Sequence, residues 1–543
     1  MTKLATLLSI AIALLTSCAP AAQSTAGGRH PWTIPGVLRF ATLGDPDTLN
    51  PLLGESQTDI DLSMFWAGYL FNWNDKNEFV PELATAVPTL ANGGIAKDGR
   101  TITYHLRRGV KWQDGAPFDG DDVVWTWHAV MNPANNIQTR IGYDEITAID
   151  QPDKYTLVVH LKRPYAPFVA TFFTMSGTTY AVLPKHLLAR YPNINQVPFN
   201  TKPIGTGPFI VQEWHRGDTI RMIANPHYWR GAPKLKEVRY RSIPDENTLM
   251  TAIRTHELDL WFNVSSPHYP ETKNLEAVRT LLTPFTQYSR IGFNVARPIM
   301  RELAVRRAIA YATDRKHLIE VLTFGVHLLG EGDQPYVSWA HDPNLPTIPY
   351  DPAKARAVLD AAGWKPGRDG IRVKNGRRLS LEIATVSGST TGERVSVFAQ
   401  AAWKDVGIEA TIHQYPVSLM LASYASGGIV QGGKFDVDFS SWIAGTDPDD
   451  ATNFMCDQVP PNGQNSYRFC SHDLDAQERV ALGSFDQAVR KRAYAKIQQI
   501  IVAEVPMVTM WFVRRIDIVS DDLKGYRPTS AVTPFWNVWE YEL

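Results

Sequence analysis

Residues 101–131 read TITYHLRRGVKWQDGAPFDGDDVVWTWHAVM, and no other stretch of this length limits the fold as tightly. Ile102, Tyr104 and Leu106 alternate with polar partners, the period of a half-buried strand. Asp114-Gly115 and Pro117 then mark a turn. Asp119, Asp121 and Asp122 open a helix whose apolar positions Val123, Trp127, Val130 and Met131 fall on one face. Carboxylates there suit the positive end of the helix dipole, and Pro133 stops the run. The pattern is architectural, with no catalytic chemistry in it.

The 543 residues leave room for about two to four domains and a large core. Lys and Arg number 54 against 55 Asp and Glu, a net charge of −1 that argues against a nucleic-acid partner and against a disordered acidic tail. Sixteen Trp and twenty Tyr fill a core or grip a ligand through aromatic faces. At the N-terminus, Lys3 precedes a short apolar run, Leu4 to Leu15, too short to span a bilayer. Residues 1–17 thus read as an export signal. Leu15-Thr16-Ser17-Cys18 is similar to the bacterial lipobox, which makes Cys18 the lipid attachment site; the alternative is an ordinary signal cleaved nearby. Residues 18–35, rich in Ala, Gly, Ser, Thr and Pro, read as a flexible, lipid-anchored tether. That address is oxidising, so Cys456 and Cys470 are expected to form a disulfide rather than remain two buried thiols. No cysteine–histidine spacing suggests a metal site, and no cofactor is implied.

The segment at 101–131 closely resembles the signature of the extracytoplasmic solute-binding proteins of peptide-type ABC importers, family 5 of that class. Ile204-Gly205-Thr206-Gly207-Pro208-Phe209 and Asn225-Pro226-His227-Tyr228-Trp229-Arg230-Gly231 resemble two further elements of the family. Phe293-Asn294 and the runs at 305–315, 350–364 and 375–383 follow in the family's order, so the resemblance spans roughly residues 38 to 520. It implies an α/β, two-lobed periplasmic-binding-protein-like fold of the large three-domain (oligopeptide-binding, cluster C) type. A discontinuous domain I would comprise residues 36–62, 188–284 and 513–543. An inserted domain II would take 63–187, and domain III 285–512. The role implied is capture of a solute outside the cytoplasmic membrane, on its outer face or in the periplasm, by a monomer that hands it to permease subunits.

Individual elements agree with an α/β chain. Asp314 caps a helix carrying Leu318, Ile319 and Leu322. Asp351-Pro352 caps another with Ala355, Val358, Leu359 and Ala362 on one side. Ala493, Ile497, Ile500 and Ile501 keep helical spacing before Pro506, and Leu379, Leu381 and Ile383 alternate as a strand. Catalytic patterns fail on inspection. His256-Glu257 lacks the second zincin histidine, because position 260 is Leu, and Gly388-Ser389-Thr390-Thr391-Gly392 has its serine one place early for a nucleophile elbow. Asp447, Asp449 and Asp450 could do acid–base work, which keeps a secreted hydrolase as the different-class alternative, or they form a solvated loop.

In the family, a far-lobe strand ends in a Trp followed by an acidic loop. Here that reads Ser441-Trp442-Ile443-Ala444-Gly445-Thr446-Asp447-Pro448. The resemblance implies that the backbone beside Trp442 pairs with a peptide ligand as an added strand. It also places Glu55, Ser56, Ile443 and Trp511 at the ligand. The acid that receives a peptide's α-ammonium is replaced by Gly445, and Asp447 is the nearest substitute. Either Asp447 takes that role or the ligand has no ammonium there. The loop Val386-Ser387-Gly388-Ser389 has no Arg for a dipeptide's carboxylate. Oligopeptides are therefore favoured, with nickel chelates, sugars or opines as the alternative. Trp442 belongs to the cleft or to the core.

Overall fold

The computed structural model describes residues 28–54, 56–176 and 180–543. The export signal, Cys18 and Glu55 lie outside the described residues. The chain begins in the near lobe with strand β1 (Val37–Thr42) and helix α1 (Gln57–Trp66). It then enters a small domain built on strands β2 (Thr101–His105), β3 (Ile146–Asp153) and β4 (Thr156–Leu161), with helix α2 (Gly120–Met131) against them. Ile102, Tyr104, Trp112, Val123 and Phe172 fill that domain's core. Returning to the near lobe, the chain adds β5 (Phe209–His215), β6 (Thr219–Ala224), β7 (Glu237–Ser242) and β8 (Leu260–Val264). Phe40, Phe65 and Phe535 cluster at the centre of this lobe, with ring centroids 5.1–5.5 Å apart.

Strand β9 (Val278–Phe293) then carries the chain into the far lobe. There follow α3 (Leu303–Ala312), α4 (Arg315–Thr323), α5 (Pro352–Ala361), β10 (Ser380–Val386), α6 (Thr390–Lys404), β11 (Glu409–Tyr415) and β12 (Val437–Ile443). Helices α7 (His472–Gly483) and α8 (Gln487–Glu504) precede β13 (Met507–Ser520), which runs back to the near lobe. One ten-stranded sheet results, in the order β11-β10-β12-β9-β13-β8-β1-β7-β6-β5. The antiparallel pair β9 and β13 joins the lobes, and its register shifts between Pro284 and Tyr288. Proline has no N–H to give a ladder, so the pairing breaks there. The expected boundaries at 284/285 and 512/513 fall inside these two strands.

The sequence motifs knit the small domain to the near lobe. A Cβ on Gly205 would lie 1.7 Å from the Trp66 carbonyl oxygen, so only glycine lets these backbones approach. Gly207 N–H donates to that same carbonyl at 2.9 Å. Gln113 bridges across, its amide donating to the Phe209 carbonyl at 2.7 Å and its own oxygen accepting from Gly205 N–H at 3.1 Å. Asp119 caps α2 as expected. Asp122, by contrast, is buried, where its carboxylate accepts the Trp112 indole N–H at 3.0 Å and the Lys185 N–H at 3.0 Å. Burial pushes its pKa up to about 6. Val123 and Val130 are buried as expected, while Trp127 and Met131 are half-buried against the same core.

The expected tether at 18–35 needs a correction at its far end. His30 N–H and Thr33 Oγ1 donate to Asp522 at 2.8 and 2.5 Å. Trp32 lies stacked between His30 and His256, at 4.7 and 3.9 Å. Those residues are docked on the near lobe because a buried aspartate and two ring faces hold them.

Candidate functional site

Strand β12 is the element that makes a site. Antiparallel pairing with β9 runs its whole length, from Val437 opposite Phe293 to Ile443 opposite Gln287. On its other side β10 pairs only at Val437 and Asp438. From Phe439 to Ile443, no strand among the described residues pairs with that edge. The bonds Asn294 N–H to Asp436 O and Ala444 N–H to Thr286 O fix the ladder's parity, so even-numbered residues bond to β9. Ladder alternation then turns the N–H and C=O groups of Ser441 and Ile443 toward the open side.

Two spaces flank this edge. One, of about 270 Å³, lies within the far lobe and is lined by Ser441, Phe439, Met420, Leu421, Val395 and Trp511, among others. The other, of about 410 Å³, lies between the far lobe and the small domain, where Trp442, Ile443, Gly445 and Asp447 face Tyr165 and Ser176. The pleat sends Ser441 and Trp442 to opposite faces of β12. Trp511 is 3% exposed and stacks on His327 at 5.8 Å; burial holds that imidazole neutral by lowering its pKa to about 4. Trp442 is half-buried, packed against the far-lobe core on one side and lining the interlobe space on the other. Ser56 is the N-cap of α1, with Oγ accepting from Asp59 N–H at 3.1 Å.

The small domain touches the far lobe directly across the cleft. Ser176 Oγ and Thr446 Oγ1 are 2.7 Å apart, and Thr446 N–H donates to that same Ser176 oxygen at 3.1 Å. Tyr165 Oη donates to Asp449 Oδ2 at 3.1 Å, and Ala166 N–H to the Leu482 carbonyl at 2.7 Å. These contacts hold the lobes together over the β12 edge.

The acidic loop is not a solvated surface. Arg490 on α8 holds both oxygens of Asp447, at 2.5 and 2.7 Å. Asp449 is half-buried, and desolvation raises its pKa first, with the Asp447 charge adding to the shift. Behind it Asp450, Asp333 and Glu478 are all buried. Burial raises Asp450 well above the carboxylate range and Glu478 to about 8, because the neighbouring acids oppose a second charge. Neither space is lined by histidine, cysteine or lysine among the described residues. The arrangement can enclose and hydrogen-bond a molecule.

Sequence reasoning found the loop and its tryptophan. It missed Arg490 and Tyr165 as partners of that loop, since no local pattern links residues so far apart in the chain. Cys456 and Cys470 are bonded to each other, as expected.

Comparison with known proteins identifies the architecture. The oligopeptide-binding protein AppA of Bacillus subtilis is 26% identical over 538 residues, covering 96% of this chain and 95% of AppA. Its structure with a nonapeptide superposes with a TM-score of 0.78 at 23% identity, covering 94% of this chain and all of that one. Protein XP55 of Streptomyces lividans is 30% identical over 492 residues, 89% of this chain and 84% of XP55. NikZ of Campylobacter jejuni in complex with Ni(L-His) shares the fold with a TM-score of 0.79 at 24% identity, over 94% of this chain and all of NikZ. The model of the bacterial extracellular solute-binding proteins, family 5 Middle, matches residues 78–465. With a two-lobed α/β fold, a strand edge open between the lobes and a family match over most of its length, the chain belongs to the bacterial extracellular solute-binding proteins of family 5.

Proposed function

We propose that this chain is the substrate-binding component of an ABC importer, capturing oligopeptides outside the cytoplasmic membrane and delivering them to a membrane permease. The observation that carries the reading is the open edge of β12 at Phe439–Ile443, flanked by a space on each face. An extended peptide laid there would add a strand, bonding through Ser441 and Ile443 and sending alternate side chains into the two flanking spaces. The oligopeptide-binding relative AppA supports the same reading. Ser441, Trp442, Ile443, Gly445 and Trp511 are the residues assigned to the ligand.

The protein binds without turning its ligand over and works as a monomer that closes by a hinge at the β9–β13 register shift. Its location is the outer face of the membrane, held through lipid on Cys18. Lys3, the Leu4–Leu15 run and the lipobox-like Leu15-Thr16-Ser17-Cys18 support that assignment. No helix among the described residues is long and apolar enough to cross a membrane.

Native mass spectrometry of protein incubated with a random-sequence oligopeptide library tests the reading. Peptides retained intact, with no cleavage products, are expected. A protein that retains no peptide but carries a nickel chelate or another small solute would move the function to that solute. Release of cleaved peptide would make it a hydrolase.

A further inference from the structure

A strand added at the open edge of β12 has a side-chain pattern that the sheet already sets. Trp511, Ser289 and Ser441 stand directly opposite one another on β13, β9 and β12. Directly opposite residues of a ladder share a face, and this row forms one wall of the far-lobe space. A peptide residue opposite Ser441 would extend the row by one place, so its side chain would enter that space. Its two chain neighbours would point to the other face, toward Trp442 and the interlobe space.

The far-lobe space suits an apolar group. Val395, Met420, Leu421, Phe439, Met510 and Trp511 line it, and the Ser289 and Ser441 hydroxyls bond to each other at 2.8 Å. Arg290 is the one charged residue on its wall among the described residues. The pleat turns the Arg290 side chain to the face opposite Ser289. There its guanidinium lies 4.5 Å over the Tyr467 ring and bonds to the buried Asp438 at 3.2 Å. The first turn of α6 borders the space and is capped by its own residues. Ser389 Oγ accepts the Gly392 N–H at 3.3 Å, and the Glu393 carboxylate accepts the Gly388 N–H at 2.9 Å. A charged side chain would therefore meet no free opposite charge, and burying it would be costly. An apolar one would cover Leu421, which lines the space yet is 59% exposed.

The interlobe space differs. Gln138, Thr139 and Gln464 line it with Asp449, whose donors, Tyr165 Oη and Ala451 N–H, both at 3.1 Å, carry no charge. Polar and basic side chains find partners on that face. We infer that β12 selects its peptide at one position: the residue opposite Ser441 carries a large aliphatic or aromatic side chain, while its two neighbours are free to be polar or basic. The inference rests on the peptide reading above and adds the chemistry of the side chain taken. Ser289, Leu421 and Trp511 are thereby specificity-determining residues.

The test titrates the protein with Ala-Ser oligopeptides of one length that carry a single central Phe, Leu, Lys or Glu, or none of these. A peptide can slide along the edge until its Phe or Leu is in register, so these two should bind at least about tenfold more tightly than the parent. Lys or Glu at the same place should bring no gain. Lys placed directly beside the Phe should change affinity by less than about threefold. Ser289→Leu fills the space and should remove the Phe advantage. Leu421→Glu, at an exposed position, should move the Phe-to-Lys ratio by at least about threefold toward Lys. Lys or Glu peptides that bind as tightly as the Phe peptide overturn the inference and leave the peptide reading standing. So does a random library that binds while no Phe or Leu peptide does. A neighbouring Lys that abolishes the Phe gain overturns the assignment of the two faces. Folded variants that both keep the wild-type ratios overturn the assignment of this space, and should one fail to fold, the other decides. If neither this set nor the random library binds, the peptide reading falls and takes the inference with it.

Discussion

Replacing Glu478 by Gln should make the far lobe more stable at neutral pH and flatten its response to pH. Glu478 is fully buried on α7, with Asp450, Asp333 and Asp449 close by. Burial and these acids raise its pKa from the ordinary 4.5 to about 8, opposed only in part by the positive charge of Arg490. The unfolded chain therefore loses the proton near pH 4.5, while the folded chain keeps it to about pH 8. Within that window the folded state binds more protons, so stability falls as pH rises and levels off above the window. At pH 7 the gap from the ordinary value is about two and a half units, each worth about 1.4 kcal/mol. Glu478 thus costs the folded state about 3 kcal/mol at neutral pH relative to mildly acid pH. Asp450 pushes in the same direction, so the wild-type slope should exceed one proton. Glutamine cannot ionise, and its amide can donate to the neighbouring acids. Urea unfolding followed by tryptophan fluorescence between pH 5 and 8 should show wild-type stability declining. Glu478→Gln should pull ahead by up to about 3 kcal/mol at pH 7. Wild-type stability that rises over this range, or a variant that keeps the wild-type slope, would refute the argument.

Two further outcomes follow from the same geometry. Opening the Cys456–Cys470 bridge, by reduction or by Cys470→Ser, frees a loop with a sequence separation of 14 and should lower stability by roughly 3 kcal/mol. Differential alkylation that finds two free thiols in the native protein would contradict it. Trp442→Ala should weaken peptide binding by roughly tenfold or more, about 1.4 kcal/mol. Because the ring is only half-buried, folding should lose less than the roughly 3–5 kcal/mol of a full core truncation. Unchanged affinity with a large stability loss would return Trp442 to the core.

What could be read from the sequence was set by short-range rules. The strand at Thr101–His105 and the Asp119 cap each depend on backbone constraints that a few adjacent residues declare. The caps at Asp314 and Asp351 were legible for the same reason, since each accepts the N–H three residues on. The site was half legible. Trp442 and the acidic loop stand at the end of a strand, where their neighbours can be named. The charge state of that loop depends on Arg490, 43 positions away on α8, and on Tyr165 from another domain. Contacts of that kind come from packing and leave no periodic trace. The docked stretch at His30–Thr33 was misread because Ala/Gly/Pro composition describes a free chain and is silent about Asp522.

Amide hydrogen exchange at β12, read residue by residue with and without saturating peptide, tests the central claim most directly. In the free protein, the N–H groups of Ser440 and Trp442 already bond to β9, while those of Ser441 and Ile443 face the open edge. A peptide added as a strand should slow exchange at Ser441 and Ile443 and leave Ser440 and Trp442 nearly unchanged. Saturation that protects all four residues equally, or leaves Ser441 and Ile443 as fast as before, would show that the ligand is not held on this edge.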